Sequence, residues 1–273
     1  MTFDHYLFSS FKEYLDRKVT EKLAAWRTAT IPLFAQNDNR KKEYKIVGAG
    51  PKQWVFDSGI TSDIVKNNGL NGDWANAKVD YRNARLIIPK NGIGTAPASI
   101  VGSYKLFNSY ISTSSDEDLF LNTNWDEAPE IISPNNSSKP YSYHAPCYFI
   151  KLGATYNRGL ELGGRDKTTY DIKVPVFCKS EGDLYAIAGV FRDLQNTVAY
   201  VLDSTPLDEF NDLKEEGWTF YDKMAEMKEL GSPKIYIEKV LFTPIQGVAI
   251  KQDFPQAAIG IATFTIFVGR MSH

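Results

Sequence analysis

Across Ser180 the spacing of apolar residues changes from two to between three and four, which dictates a strand running directly into a helix. Before it, Tyr170, Ile172, Val174, Val176 and Cys178 point one way, and Asp171, Lys173 and Lys179 the other. After it, Leu184, Ile187, Ala188, Phe191 and Leu194 fall on one helical stripe. Ser180-Glu181-Gly182-Asp183 between them has the form of a capping box, with a serine that accepts from the amide three residues on and a carboxylate that reaches back. Phe177 interrupts the polar face of the strand, and Pro175 predicts an edge or a bulge. A chain built around such a junction is α+β. The expected architecture is a mixed or mainly antiparallel sheet, with the N-terminal and central helices packed on one face and a β-rich insertion added.

The first 27 residues read as one helix. Leu7, Phe11, Leu15, Val19 and Leu23 recur at a spacing of four, and Trp26 follows at three. Each step of four drifts about 40°, so the stripe covers roughly 160° of the surface. Glu13, Asp16, Arg17, Lys18, Glu21 and Lys22 occupy the rest. The aromatics Phe3, Tyr6, Phe8, Phe11 and Tyr14 suit a helix docked on its own sheet or one facing a neighbouring subunit. At the other end, Ala257–Val268 is apolar on both faces, with Ile259, Ile261 and Phe267 on one and Phe264, Ile266 and Val268 on the other. Such a strand is covered on both sides, by its own fold or by a partner.

The middle is less regular. Thr28–Phe34 is β-branched, with Pro32 marking an edge or a break, and Asn37–Lys45 reads as a basic loop. Short strands are expected at Trp54–Phe56, Ala84–Pro89 and Ile100–Thr113. Tyr104–Ile111 and Leu119–Asn122 suggest a hairpin across Ser112–Asp118, and Ser133–Pro140 is a loop. The chain is thus expected to be one α+β domain over 1–273, with residues 40–165 as a β-rich insertion or subdomain. Beyond it, strands are expected at Pro146–Tyr156, Thr197–Leu202 and Ile235–Val240. A helix over Phe220–Leu230 is stopped by Gly231 and Pro233. The loop between Asp203 and Gly217 is acidic, with Asp203, Asp208, Glu209, Asp212, Glu215 and Glu216.

Composition narrows the function. With 43% hydrophobic residues the chain has enough apolar surface for a sizeable core, and a net charge of −2 argues against a broadly basic nucleic-acid binder. Cys147 and Cys178 are the only cysteines, too few for a disulfide scaffold or a four-sulfur metal site, and they read as reduced core thiols. No apolar run reaches the roughly 18–20 residues of a membrane span. No basic-then-apolar signal opens the chain, so it is expected to be made in the cytoplasm, where the sequons at Asn135 and Asn136 would meet no glycosylation enzyme.

His5, His144 and His273 have no metal-ligand spacing, and His144 three residues before Cys147 lacks the strained elbow of a nucleophile pair. Gly48-Ala49-Gly50-Pro51 misses the third glycine of a dinucleotide fingerprint. Asn91-Gly92-Ile93-Gly94-Thr95 lacks a P-loop lysine, Gly163-Gly164-Arg165-Asp166 reads as a loop, and Asp116/Asp118 as an exposed acidic turn. The expectation is no enzyme, no cofactor and no metal.

Three stretches resemble the tail-terminator (tail-completion) proteins of contractile-tailed bacteriophages. Phe3-Asp4-His5-Tyr6-Leu7-Phe8-Ser9-Ser10-Phe11-Lys12-Glu13-Tyr14 is similar to the family's aromatic-rich start, which runs into a helix. Tyr170 through Leu184 looks like its central strand-to-helix turn, and Ala258 through Gly269 like its late strand. The match covers about a third of the chain, with no correspondence over residues 35–165 and no long Pro-rich tail.

The resemblance implies a virion structural protein at the head-proximal end of a tail. It would form a homo-oligomeric ring, commonly a hexamer, on the last disc of the tube. The ring would end tube growth and join tube and sheath proteins to the neck, with DNA passing through without sequence-specific binding and no membrane involved. On that reading Phe3, Tyr6, Phe8, Tyr14, Phe264, Ile266 and Val268 are candidate subunit or partner contacts. Asp208, Glu209, Asp212, Glu215 and Glu216 are candidates for lining the DNA channel, where negative charge would keep DNA from sticking. A different neck or connector ring is one alternative. A carbohydrate- or receptor-binding module using the Tyr141-Ser142-Tyr143 loop is another.

Overall fold

The strand-to-helix junction forms the centre of the molecule. In the computed structural model β11 (Arg165–Cys178) runs into a helix over Glu181–Asp193, and the Asp183 N–H donates to Ser180 Oγ at 3.1 Å. The structure describes residues 3–36, 44–48, 53–56, 77–89, 99–124, 143–159, 165–215, 218–245 and 257–271. Four helices are described: α1 (Phe3–Lys22), α2 (Asp116–Leu121), α3 (Glu181–Asp193) and α4 (Phe220–Glu229).

The strands are β1 (Trp26–Pro32), β2 (Phe34–Gln36), β3 (Tyr44–Gly48), β4 (Lys78–Asp80), β5 (Arg85–Pro89), β6 (Ser99–Lys105) and β7 (Asn108–Ile111). Then come β8 (Thr123–Asn124), β9 (Tyr143–His144), β10 (Cys147–Gly159), the central β11, β12 (Val198–Tyr200), β13 (Lys234–Ile245) and β14 (Ala258–Met271).

The main sheet has six strands in the order β12-β13-β14-β11-β10-β7. Only the β7–β10 pair is parallel. The fold is therefore α+β with a mainly antiparallel sheet. The β11–β14 ladder is unbroken from Arg165↔Met271 to Cys178↔Ala258. The alternating side chains of β11, with Ala262, Phe264, Ile266 and Val268 of β14, form one core with Leu7, Phe11, Leu15 and Val19 of α1 and Leu184, Ile187 and Phe191 of α3. Both helices thus cover one face of the sheet.

Several elements differ from the sequence reading, each for a local reason. The first helix ends at Lys22, because Ala24 takes a left-handed conformation (φ 46) and turns the chain so that Trp26 opens β1. Asp116–Leu121 is a helix and not the return of a hairpin. Ser115 Oγ accepts from the Asp118 N–H at 3.3 Å, and three acidic residues in the first turn suit the positive helix end. Pro175 lies in a central strand. Its missing N–H coincides with a gap in the β10 ladder, which passes from Tyr148↔Val176 to Lys151↔Lys173.

The β-rich part has its own four-stranded sheet, β2-β3-β5-β4, beside the β1–β6 pair, with a core that includes Trp54, Val79, Tyr81 and Leu86. Its limits differ from 40–165: β1 and β2 precede residue 40, while β7 and β10 join the main sheet. Trp54 makes a single bridge to Tyr104. Tyr44 and Lys45 begin a strand and are not loop. The Ser133–Pro140 loop and the Asn135 and Asn136 sequons lie outside the described residues.

A bulge in β10 between Leu152 and Thr155 contains Gly153, where an added Cβ would lie 2.7 Å from the Asp171 carbonyl oxygen. Gly153→Val is expected to cost about 1–3 kcal/mol through this clash with a backbone atom. The melting temperature of the variant checks it, and an unchanged value would mean that the bulge opens freely.

Candidate functional site

The aromatic and aliphatic residues expected at subunit contacts are largely used inside the chain. Phe264, Ile266 and Val268 are fully buried in the main core, so they have no surface to offer a partner, a correction to their candidacy. Phe264 meets Phe11 edge-on at 5.3 Å and Phe191 at 5.2 Å. Phe8 and Tyr14 are also buried, and the Tyr14 hydroxyl lies 3.1 Å from Thr197 Oγ1. Phe3 and Tyr6 pack on the same core and are only partly buried. The opposite side of β14 is half-exposed at Ile261 and Phe267, so this strand is not covered equally on both faces.

The acidic loop is anchored to the edge of the four-stranded sheet. Asp208 accepts from the backbone amides of Phe210 (2.7 Å) and Asp212 (3.0 Å) and from Lys78 Nζ (2.7 Å). Burial works to raise the Asp208 carboxyl, but Lys78 and the two amides outweigh it and hold the group below its usual range. The Tyr81 N–H donates to the Asn211 carbonyl at 3.3 Å, and Asn211 Nδ2 to buried Asp80 at 3.1 Å. Glu209 and Glu215 remain exposed, with Glu215 3.3 Å from Lys223, while Glu216 lies outside the described residues.

A charge cluster that includes Glu13 and Asp16, which the helical periodicity placed off the apolar stripe, is buried where α1 meets the β-rich part. Lys12, Glu13 and Asp16 of α1 and Lys105 of β6 are each almost wholly shielded. Lys105 donates to Asp16 Oδ2, and Lys12 to Glu13 Oε1 at 3.4 Å. Two recesses of about 10 Å³ each flank Lys105, one lined by Arg17, Trp26 and Phe220 and the other by Gln53, Tyr81 and Arg82. Each has room for about one water molecule. Burial pushes the Lys105 ammonium down to about 7, with Glu13 pulling it back up and Lys12 pushing it further down. Burial lowers Lys12 as well, and Glu13 sits below its usual range because Lys12, Lys105 and Arg82 outweigh its own desolvation.

These shifts set a pH dependence. In the unfolded chain Lys105 holds its proton up to about 10.5, but in the fold only up to about 7, so the unfolded state binds more protons in between. Stability should therefore rise from pH 7 upward, by at most about 1.4 kcal/mol per unit from this group. Buried Cys147, Cys178 and Tyr148 are shifted up by burial, so their contribution is present below their ordinary values and lost at higher pH. The expected melting curve rises from pH 7 to about 8.5 and then falls. Lys105→Met should reduce the rise to the part that Lys12, also lowered by burial, contributes, and an undiminished rise would assign it elsewhere.

The thiols of Cys147 and Cys178 are free and buried. His144 is buried too, and burial holds the Cys147 thiol well above its usual value, the wrong direction for a nucleophile. Tyr143 is half-buried, in ring contact with Tyr110 at 4.8 Å and Phe149 at 4.7 Å, while Tyr141 and Ser142 lie outside the described residues, as does His273. The glycine stretch after Gly48 and the one at Asn91–Thr95 also lie outside them. Asp116 and Asp118 lie in the first turn of α2, which Ser115 caps, and Asp116 pairs with Lys151 at 2.7 Å.

What periodicity missed is two open sheet edges. β12 covers only Lys234–Tyr236 of β13, and β7 only Cys147–Ile150 of β10. Among the described residues, β13 from Lys239 to Ile245 and β10 from Lys151 to Gly159 each lack a neighbour on one side. Leu241 (54% exposed) and Ile245 lie on the first edge, Leu152 (49%) and Tyr156 on the second. The run Val240-Leu241-Phe242-Thr243 was the available signal for the longer β13. No protein-family model matches the chain, and no curated protein matches it.

Proposed function

We propose that the chain is a virion structural protein that forms a ring at the head-proximal end of a contractile phage tail, ends growth of the tube and joins tube and sheath to the neck. The observation that carries this reading is convergence. The three separate stretches that resemble tail terminators, α1, the β11–α3 turn and β14, pack as one unit through Phe11, Phe264 and Phe191. The open edges support a ring as the form of assembly. They lie on opposite sides of one sheet, and β13 and β10 run antiparallel to each other across it. Copies following head to tail would thus bring β13 of one beside β10 of the next in antiparallel orientation, a heterologous contact that can close. Six copies, a tube protein below, sheath protein around and a neck protein above are the partners of this reading. Among the described residues, Glu209 and Glu215 are the channel candidates whose carboxylates are exposed to face DNA.

Light scattering and negative-stain imaging of the purified chain test this, alone and after mixing with contractile tail tubes. Rings with a mass six times that of the chain, seated on tube ends, are expected. Rings that ignore tubes but bind a neck protein would move the assignment to another connector. A chain that stays monomeric and leaves tube length uncontrolled overturns the ring reading.

A further inference from the structure

The face of the six-stranded sheet away from α1 and α3 carries a row of side chains across four strands. Tyr156, Thr169, Phe267 and Tyr236 stand side by side from β10 through β11 and β14 to β13. Tyr236 and Phe267 are stacked, with centroids 4.6 Å apart and planes 10° from parallel, and Lys167 Nζ lies 3.9 Å from the Phe267 centroid. Lysines bracket this row. By strand alternation Lys234 and Lys167 lie in the row on one side of it, Lys239 in the row on the other, and Lys173 one row further. Sheet spacings put each within about 15 Å of the stacked pair.

Lys173, Lys234 and Lys239 are exposed and form no ion pair among the described residues. Lys151 stands directly opposite Lys173 across the ladder, a like-charge pair that costs free energy, and Asp116 offsets only Lys151. The strand acids near the row are engaged, since Asp171 accepts from Thr265 and Glu238 pairs with Lys167, and the acids of α2 lie at the far end of the face, beside Lys151. On a chain whose net charge is −2, this is a local concentration of positive charge, and it selects an anionic partner. The aromatic row selects further. Carboxylates or bare phosphates would use the lysines alone, whereas unstacked bases use both.

We propose that this face, beyond the end that α2 covers through Leu119, binds single-stranded nucleic acid without sequence preference, with the lysines on backbone phosphates and Tyr156 and Tyr236 against the bases, while Phe267 backs Tyr236 from within the stack. The inference goes beyond the ring reading and does not depend on it, since a monomer would present the same face.

Fluorescence anisotropy of the full chain with labelled oligothymidine, about 20 nucleotides long, tests it. Binding is expected at low salt, and affinity should fall about 50-fold between about 50 and 200 mM salt if four phosphates are engaged. Lys173→Glu with Lys239→Glu should weaken binding at least about tenfold and flatten the salt dependence. Tyr156→Ala, on an exposed side chain, and Tyr236→Ala should each weaken it about tenfold with the salt slope unchanged. Circular dichroism and melting establish that the variants are folded. Absence of binding by the folded wild-type chain at low salt overturns the proposal. So does competition by polyglutamate equal to that of oligothymidine with the tyrosine variants unaffected, which would assign the face to an acidic protein. Self-association lost on Lys173→Glu with Lys239→Glu, and unaffected by oligothymidine, would make it a contact between copies and overturn the proposal equally.

Discussion

Phe264→Ala is expected to lower the stability of the chain by about 3–5 kcal/mol. Phe264 is fully buried and joins three elements, reaching Phe11 of α1 and Phe191 of α3 edge-on from β14. Its removal opens a cavity that none of the three can fill alone, since β14 is held on both sides by the long ladders to β11 and β13. Urea unfolding of the variant measures the cost, and a loss of this size leaves little of a typical domain's stability. The outcome also separates two roles. A core residue takes the whole fold with it, whereas a contact residue would leave a folded chain unable to assemble. Wild-type stability in Phe264→Ala would mean that α1 and α3 do not share this core.

The second large effect lies in the buried charge cluster. Asp16→Ala should cost about 3–5 kcal/mol, because buried Lys105 loses the carboxylate it donates to and keeps only the attraction of Glu13. Asp16 Oδ1 has no hydrogen-bond partner among the described residues, so the pair is itself incompletely satisfied. The double variant Asp16→Leu with Lys105→Met should therefore recover most of the loss and could exceed the wild type by about 1–4 kcal/mol. A double-mutant cycle read by urea midpoints decides it. Additive losses would show that Asp16 and Lys105 act independently, contrary to the geometry.

Local signals of strict period were legible in the chain before any fold was considered. The alternation of Tyr170 to Cys178, the Ser180 cap and the stripe of Leu184, Ile187 and Phe191 each depend on neighbours within four residues, and all appear in the fold. The same holds for Leu7, Phe11, Leu15 and Val19, whose spacing alone put them on a buried face. The free thiols of Cys147 and Cys178 agree with the reading from their number, too few for a disulfide scaffold or a four-sulfur site.

The rest was set by partners distant in sequence. Glu13 and Asp16 fall off the apolar stripe of α1, and nothing within a few residues shows that the β-rich part covers that side of the helix. Asp16 meets Lys105 across 89 residues, a separation at which no spacing rule operates. Pro175 predicts an edge or a bulge locally, and the sheet holds it centrally, where the β10 ladder leaves a gap. The apolar excess of Ala258–Val268 was plain in the sequence. Which of its faces turns inward was decided by the pairing of β11, β14 and β13, because strand register is fixed only when the strands meet.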